Sequence, residues 1–270
     1  MKTRNKVTFF KRMMNKIVLF IAIFFMFEAS LPGIAASEAT VQPEGWQFGV
    51  DVYFWISEIG GETTGGDSID VPFDTIVDNL DFAYMGAFHA RNGRWHLSTD
   101  VIYMNLEGDD SSRVTLPGEN EIRADATFKM ESWIVTPVVG FGVIDTERIR
   151  LEVLAGARYL YLKPELAFDI TGPLDSRGRR VSDSDSFWDG IIGLRGDVAL
   201  ARSWYVPFYA NIGTGDSDYT WQVMAGVGYR INKVVDVVGA YRYMEWKFDD
   251  NKVLDSLDIS GPLLGLRFRF

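Results

Sequence analysis

The stretch Trp46-Gln-Phe-Gly-Val-Asp-Val-Tyr-Phe-Trp-Ile56 decides the fold class of this chain. Its even-numbered positions are all apolar, whereas the odd-numbered ones include Gln47, Gly49 and Asp51. Residues two apart point to the same face of a β-strand. Strict alternation over this length therefore predicts a strand with one apolar face and one polar face.

The same test applied along the chain predicts ten strands. They are 46–56, 82–90, 95–105, 122–143, 149–162, 188–200, 204–213, 219–231, 235–248 and 260–270. In the fourth of them, Trp133-Ile-Val-Thr-Pro137 interrupts the alternation, and a β-bulge is one interpretation. The apolar residues, 47% of the chain, are thus distributed with a period of two.

Short and long connections alternate between these strands. The short ones are 92–93, 145–147, 202–203 and 232–233, and the longer ones are 58–80, 107–120, 171–186, 213–218 and 249–257. Short turns at one rim, longer loops at the other and an even strand number are typical of a transmembrane up-and-down barrel, because closure leaves no unpaired edge in lipid. We predict an all-β antiparallel barrel of about ten strands, with eight or twelve as alternatives, short periplasmic turns and extracellular loops.

The two faces of the strands distinguish this barrel from a soluble barrel or sandwich. Aromatic residues end the apolar faces and predict two interfacial girdles: Trp46, Trp95, Trp204, Tyr229 and Phe270 at the short-turn rim, and Phe54, Tyr103, Tyr159, Trp188, Trp221 and Tyr241 toward the loops. The opposite faces carry ionisable residues, which a polar lumen accommodates and a soluble core does not. These predicted lumen residues, structural or pore-lining, are Asp51, Asp100, Glu152, Arg158, Asp189, Arg195, Asp197, Arg230, Asp236, Arg242, Arg267 and Arg269.

The first 36 residues have the pattern of a secretory signal. Six basic residues lie ahead of or beside the eleven-residue apolar run 17–27, and small residues follow at 30–36. That run is too short to span a bilayer as a helix. We predict a cleaved signal peptide at 1–36, a periplasmic linker at 37–45 and the barrel at 46–270. Cleavage would change the net charge from −10 to −15, which disfavours nucleic acid as a partner, and the absence of cysteine excludes thiol catalysis.

Several segments resemble small outer-membrane barrel proteins of Gram-negative bacteria, many of them uncharacterised: 81–95, 156–162 and 239–246. The resemblance spans nearly the whole chain after the signal. The C-terminus resembles the signal by which the barrel-assembly machinery recognises its clients, with Leu264, Leu266, Phe268 and Phe270 on one face. The resemblance implies an outer-membrane location, contact with outer-membrane lipid and lipopolysaccharide, and the assembly machinery as a partner during biogenesis.

Two histidines are the strongest candidates for site chemistry. An Asn92-Gly93 turn would pair His89 with His96 inside the lumen near the periplasmic rim. A metal site would need further ligands, so a hydrogen-bonded structural pair is the favoured interpretation. His96-Leu-Ser98 also resembles the His-x-Ser element of outer-membrane lipid A deacylases, with Asp100 as the formal acid. Its position low in the lumen argues against that activity.

The loops add two features. The segment 58–80 carries six acidic residues and no basic one, namely Glu58, Glu62, Asp67, Asp70, Asp74 and Asp78. Within it, Phe73, Ile76, Val77 and Leu80 have helical spacing and predict a short helix that caps the barrel mouth.

From these features we predict a monomeric, non-enzymatic barrel without a cofactor. Its lumen would be a charge-lined narrow pore or a plug, because ten strands enclose too little space for a general-diffusion porin. Two alternatives remain open. One is a surface-binding or adhesion protein that uses its acidic extracellular loops, and the other is a lipid-modifying hydrolase of the outer membrane.

Overall fold

The computed structural model describes residues 45–116, 120–171, 176–182, 184–248 and 254–270. The predicted signal peptide at 1–36 and residues 37–44 of the predicted linker lie outside these ranges. Of the connections, residues 117–119, 172–175, 183 and 249–253 also lie outside them.

Thirteen strands and one short helix make up the described chain. Their bounds are β1 (Gln47–Trp55), β2 (Glu58–Thr63), β3 (Ser68–Val71), α1 (Phe73–Asp78), β4 (Leu80–Asn92), β5 (Trp95–Leu116), β6 (Asn120–Asp145), β7 (Ile149–Thr171), β8 (Ser176–Ser182), β9 (Asp185–Ala199), β10 (Trp204–Gly215), β11 (Tyr219–Arg230), β12 (Val235–Lys247) and β13 (Leu254–Arg269). Within the described ranges, no helix has the length and apolar character needed to cross a membrane.

Ten of the strands close into an antiparallel barrel. Neighbours follow the order β1-β4-β5-β6-β7-β9-β10-β11-β12-β13, and β13 pairs back onto β1, where Asp51 faces Arg267 and Phe54 faces Leu264. Each of the ten predicted strands corresponds to one of these barrel strands. The prediction of an all-β, closed barrel of ten strands is therefore confirmed.

The three long connections 58–80, 107–120 and 171–186 were expected to be loops, but most of their described residues form strands. β5 and β6 remain paired from Trp95↔Phe141 to Leu116↔Asn120, far beyond the 9–11 residues that span a bilayer. β8 pairs with the far end of β7, and β2 and β3 form a hairpin on β13. The 107–116 segment forms a strand through backbone pairing with β6. Its sequence has no apolar alternation from which that strand could have been predicted.

Two local details of the predicted registers are also wrong. The loop between β4 and β5 consists of Gly93 and Arg94, because Asn92 pairs with Trp95, and Gly93 takes the left-handed conformation with φ +56°. The pairing consequently shifts by two residues from the predicted one. In β6 the register with β7 is the same before and after Pro137, from Val135↔Tyr159 to Val138↔Gly156, and the bulge lies between Gly142 and Ile144.

The outer surface of the barrel is apolar between two rings of aromatic side chains. Near the short turns, Trp46, Trp95 and Phe270 are more than half exposed, and Trp188 and Tyr241 are equally exposed toward the other rim. Neighbouring aromatic side chains contact one another along each girdle, as Trp204 does with Tyr229. Side chains of this kind occupy the two membrane–water interfaces.

The interior changes character along the barrel axis. Its periplasmic half and middle are polar, whereas the extracellular end is lined by a buried apolar cluster that includes Leu160, Met244 and Trp246. Helix α1 adds Ile76 to this cluster, so the predicted short helix is confirmed. The division follows from sequence, because the inward positions of each strand alternate with lipid-facing ones and change from charged to apolar along its length.

Candidate functional site: the barrel lumen

Cross-strand register brings opposite charges together on β7 and β9. Glu152 lies directly opposite Arg195, Arg150 opposite Asp197 and Arg158 opposite Asp189. Two of these pairs form ion pairs, at 2.8 Å between Arg195 Nη2 and Glu152 Oε2 and at 2.6 Å between Arg150 Nη2 and Asp197 Oδ1. Adjacent strands thus neutralise each other inside the barrel, and Arg150 joins the set although the sequence analysis did not select it.

Both histidines lie in the lower half of the lumen and each contacts a carboxylate. His96 Nδ1 is 3.0 Å from Glu152 Oε2 and 2.8 Å from Arg195 Nη2, and His89 Nε2 is 3.1 Å from Asp51 Oδ2. The shifted hairpin register places His89 opposite Ser98 and His96 opposite Arg91. The predicted direct His89–His96 pairing is therefore wrong, although their ring centroids are 5.5 Å apart.

The expected ligands for a metal do not gather around these rings. In the part of the chain that the structure describes, no three histidine, aspartate or glutamate side chains are grouped to hold a metal ion. Asp51 is instead bound by Arg267, whose Nε and Nη2 donate to its two oxygens at 2.9 and 2.8 Å. The arrangement fits a hydrogen-bonded structural role for both histidines.

The periplasmic end holds a second group of charges around Asp236. Arg269 forms an ion pair with this carboxylate, and the Tyr205 hydroxyl donates to it at 2.9 Å. The Arg230 guanidinium lies over the Tyr205 ring at 4.8 Å and is 3.9 Å from Asp197. The backbone pairs Arg230 with Asp236, but their side chains form ion pairs with different residues, Asp197 and Arg269.

Where the charged part of the lumen meets the apolar cluster, two arginines cross it. Arg242 Nη2 donates to Asp100 Oδ2 at 2.6 Å and its Nη1 donates to the Tyr53 hydroxyl at 3.1 Å, while that hydroxyl donates to the other Asp100 oxygen at 2.6 Å. Arg158 donates to neutral oxygens instead, on Thr220, Asn211 and Gln222, at 2.7–2.8 Å. Arg158 is fully buried and Arg242 is 3% exposed.

These two guanidinium groups also contact the apolar half above them. Arg242 lies over the Trp55 ring at 5.0 Å and Arg158 over the Trp246 ring at 5.5 Å. We name these four residues the midplane layer. Below the layer lies a polar cavity of about 120 Å³, lined by residues that include Asp100 and Arg195, and a separate apolar cavity lies toward the extracellular end.

The serine that could act as a nucleophile is engaged elsewhere. Ser98 Oγ accepts a hydrogen bond from Arg195 Nη1 at 2.8 Å, His96 faces Glu152, and Asp100 is bound by Arg242 and Tyr53. A serine nucleophile requires a base within hydrogen-bond reach and an acid that orients the base. The structure brings Ser98, His96 and Asp100 onto the inward face of one strand, but Ser98 and His96 both contact Arg195, whereas Asp100 belongs to the group formed with Arg242 and Tyr53.

The remaining predicted residues lie where the strands place them. Asp189 Oδ1 accepts hydrogen bonds from the Ser217 backbone nitrogen and hydroxyl at 3.0 and 2.7 Å. On the outside of β13, Leu264, Leu266 and Phe270 are exposed to the membrane side, and Phe268 pairs with Val50. The prediction missed four neutral lumen partners, because it selected ionisable residues alone: Tyr53, Asn211, Thr220 and Gln222. Their positions in the alternating pattern, on the inward face of each strand, are the signal that could have identified them.

Comparisons with known proteins find similar folds but no family. No family model matches the chain, and neither does any curated protein sequence. Among solved structures, the outer-membrane protease OmpT from Escherichia coli is 11% identical with a TM-score of 0.46, over 87% of this chain and 99% of that one. The translocator domain of the autotransporter NalP from Neisseria meningitidis is 12% identical with a TM-score of 0.44, over 86% and 90%.

The attachment invasion locus protein Ail of Yersinia pestis is 14% identical with a TM-score of 0.34, over 84% of this chain and 100% of that one. Because these proteins differ in role by their names, no role passes from them to this chain. The chain's own geometry defines its class: a closed ten-stranded barrel with an apolar outer band between aromatic girdles is a transmembrane barrel of the Gram-negative outer membrane. This confirms the predicted location.

Proposed function

We propose that this outer-membrane barrel has a closed lumen and contributes to the envelope as a structural, non-enzymatic and monomeric component. Of the two lumen states expected from the sequence, the plug is the better supported. The midplane layer carries this proposal, because its four residues are all buried, Arg242 lines the lower cavity and Trp55 lines the upper one.

The free-energy cost of moving an ion past these residues also supports a plug. An ion moving along the axis would have to separate Arg242 from Asp100 or displace Arg158 from its three neutral partners. Leaving a buried charge without its partner costs about 3–5 kcal/mol. A barrier of that size at a section already filled by side chains opposes conduction.

Single-channel recording tests the proposal directly. The chain after residue 36 would be refolded in detergent, its folding verified by heat-modifiable gel migration, and its current recorded in a planar bilayer. We expect no discrete steps from the unaltered protein, and steps from the triple variant Arg158→Ala, Arg242→Ala, Trp246→Ala, which removes most of the midplane layer. Regular conductance steps from the unaltered protein would contradict the closed lumen.

A second candidate function, surface binding, rests on the projecting hairpin. β5 and β6 continue as a pair well above the outer aromatic girdle, which Tyr103 and Trp133 mark on these strands. At roughly 3.3 Å per residue, the residues beyond Tyr103 form a long arm outside the membrane. Deleting the residues between Gly108 and Phe128, which are paired, would shorten the arm without shifting the register below it.

That deletion distinguishes a binding role of the arm from a structural role of the barrel. If the arm binds a partner, cells that express the shortened barrel should lose adhesion to host or bacterial surfaces while the barrel still folds. The hydrolase alternative has its own test, a lipid A mass spectrum from cells with and without the protein. We expect that spectrum to be unchanged, and a loss of acyl chains that depends on Ser98 would reverse the non-enzymatic assignment.

A further inference from the structure

The extracellular half of the lumen contains an apolar cavity that the closed-barrel role does not use. Its volume is about 220 Å³, and its eighteen lining residues are sixteen apolar side chains and two serines. The lining comes from β1, β2, β3, β4, β5, β6, β7 and β13, with Met85, Met104, Met130, Ile134 and Leu160 among its members. We name it the apolar chamber.

The size of the apolar chamber is unusual for a packed interior. Protein cores are filled to the density of organic crystals, with few voids larger than a water molecule. A cavity of about 150 Å³ lined by Leu, Ile and Phe stays dry and binds benzene, and the apolar chamber is larger than that. Water would find few partners there, since the Ser132 hydroxyl already donates to the Met104 carbonyl oxygen at 3.3 Å.

The chamber is closed below and reachable from above. Its floor is the midplane layer, where Trp55 forms part of the wall. Toward the extracellular end, the lining residues Ile69 and Leu254 are only half-buried, and Phe128 is 39% exposed. A molecule could therefore enter from outside the cell without passing the charged network.

We propose that the apolar chamber binds a small uncharged apolar molecule, of the size of one or two aromatic rings or a short aliphatic chain. Burial of apolar surface in a dry cavity supplies the free energy, and the three methionine side chains can adapt to ligands of different shape. The volume and the closed floor favour a compact ligand over a long acyl chain. An acidic or cationic ligand is disfavoured because the lining offers it no ion pair.

Fluorescence titration tests this proposal. The barrel would be refolded and transferred into an amphipathic polymer, and 1-aminoanthracene would be added with naphthalene as the competitor. We expect a saturable signal at one site per barrel that naphthalene displaces. Two variants should weaken binding by about tenfold or more, the equivalent of about 1.4 kcal/mol: Ile134→Trp, which fills the chamber, and Met104→Gln, which adds an amide to it.

Met224→Gln is the matched control. Met224 lies on the inner wall of the lower polar cavity, so the same substitution there should leave the affinity unchanged. Heat-modifiable migration shows whether each variant folds, and the unaltered protein alone still tests the proposal through saturation and competition. Unsaturable partitioning, or equal affinity in Met104→Gln and Met224→Gln, would overturn it. Extraction of a stoichiometric fatty acid or lipid from the purified barrel would also overturn it in favour of an acyl-chain site.

Discussion

Replacing Arg242 with methionine should lower the free energy of unfolding of the barrel by about 3–5 kcal/mol, because it removes the buried member of an ion pair and leaves the half-buried Asp100 carboxylate without a cation. Arg242 donates to Asp100 at 2.6 Å, to Tyr53 at 3.1 Å and to Gln222 at 3.3 Å, so the substitution breaks three polar contacts at once. Tyr53 would be the remaining donor to that carboxylate. The double variant Arg242→Met, Asp100→Leu removes both charges and should recover most of the loss.

Urea unfolding of the refolded barrel in phospholipid vesicles, followed by tryptophan fluorescence, would measure these differences. Lys129→Met is the control, because Lys129 forms its 2.7 Å ion pair with Glu107 at the exposed arm. We expect that control to change stability by less than the extrapolation error. The reasoning would be refuted if Arg242→Met were as mild as the control, or if the double variant were less stable than the single one.

Three further predictions concern packing and assembly. Gly261→Ala should destabilise the barrel by about 1–3 kcal/mol in the same assay, since a Cβ there would lie 1.9 Å from the Ile56 carbonyl oxygen; Gly239→Ala, with nothing within 4 Å, should have little effect. Leu160→Ala should cost about 2–5 kcal/mol by extending the apolar chamber, and an unchanged urea midpoint would show that the wall collapses. Phe270→Ala should reduce the folded fraction in cells, measured by heat-modifiable migration, while leaving stability in vesicles nearly unchanged because Phe270 is 71% exposed; equal folded fractions would contradict an assembly signal.

The barrel strands were predictable because burial on the lipid side enforces a period of two. The stretch 46–56 alternates so strictly that its faces follow from sequence, and the structure pairs Asp51 with Arg267 across the barrel seam. The paired arm and the β2–β3 hairpin were not predictable in this way. Outside the membrane neither face must be apolar, so a segment such as 107–116 can be a strand without any alternation.

The sequence predicted which residues lie in the lumen but not which of their side chains contact one another. Alternation places Arg158 and Arg242 inside, yet it cannot show that Arg158 contacts neutral oxygens while Arg242 contacts a carboxylate. Contacts across the lumen join strands that are distant in sequence, and they depend on barrel curvature and side-chain reach. The hairpin register failed for a local reason, since either Asn92 or Gly93 could have opened the two-residue loop.

The axial order of the lumen links its two halves to one another. Charged side chains are stable in the lower half because several of them meet an opposite charge on a neighbouring strand, as Glu152 meets Arg195. Among the residues that the structure describes, most inward positions of the upper half are apolar, so water in that half would contact an apolar wall. The two arginines of the midplane layer suit the boundary between the charged and the apolar half. Their N–H groups donate to oxygens, while their flat faces lie against Trp55 and Trp246. In the proposed closed barrel, the midplane layer that excludes ions is also the floor of the apolar chamber. We therefore expect a variant that opens the lumen in single-channel recording to lose binding of 1-aminoanthracene as well.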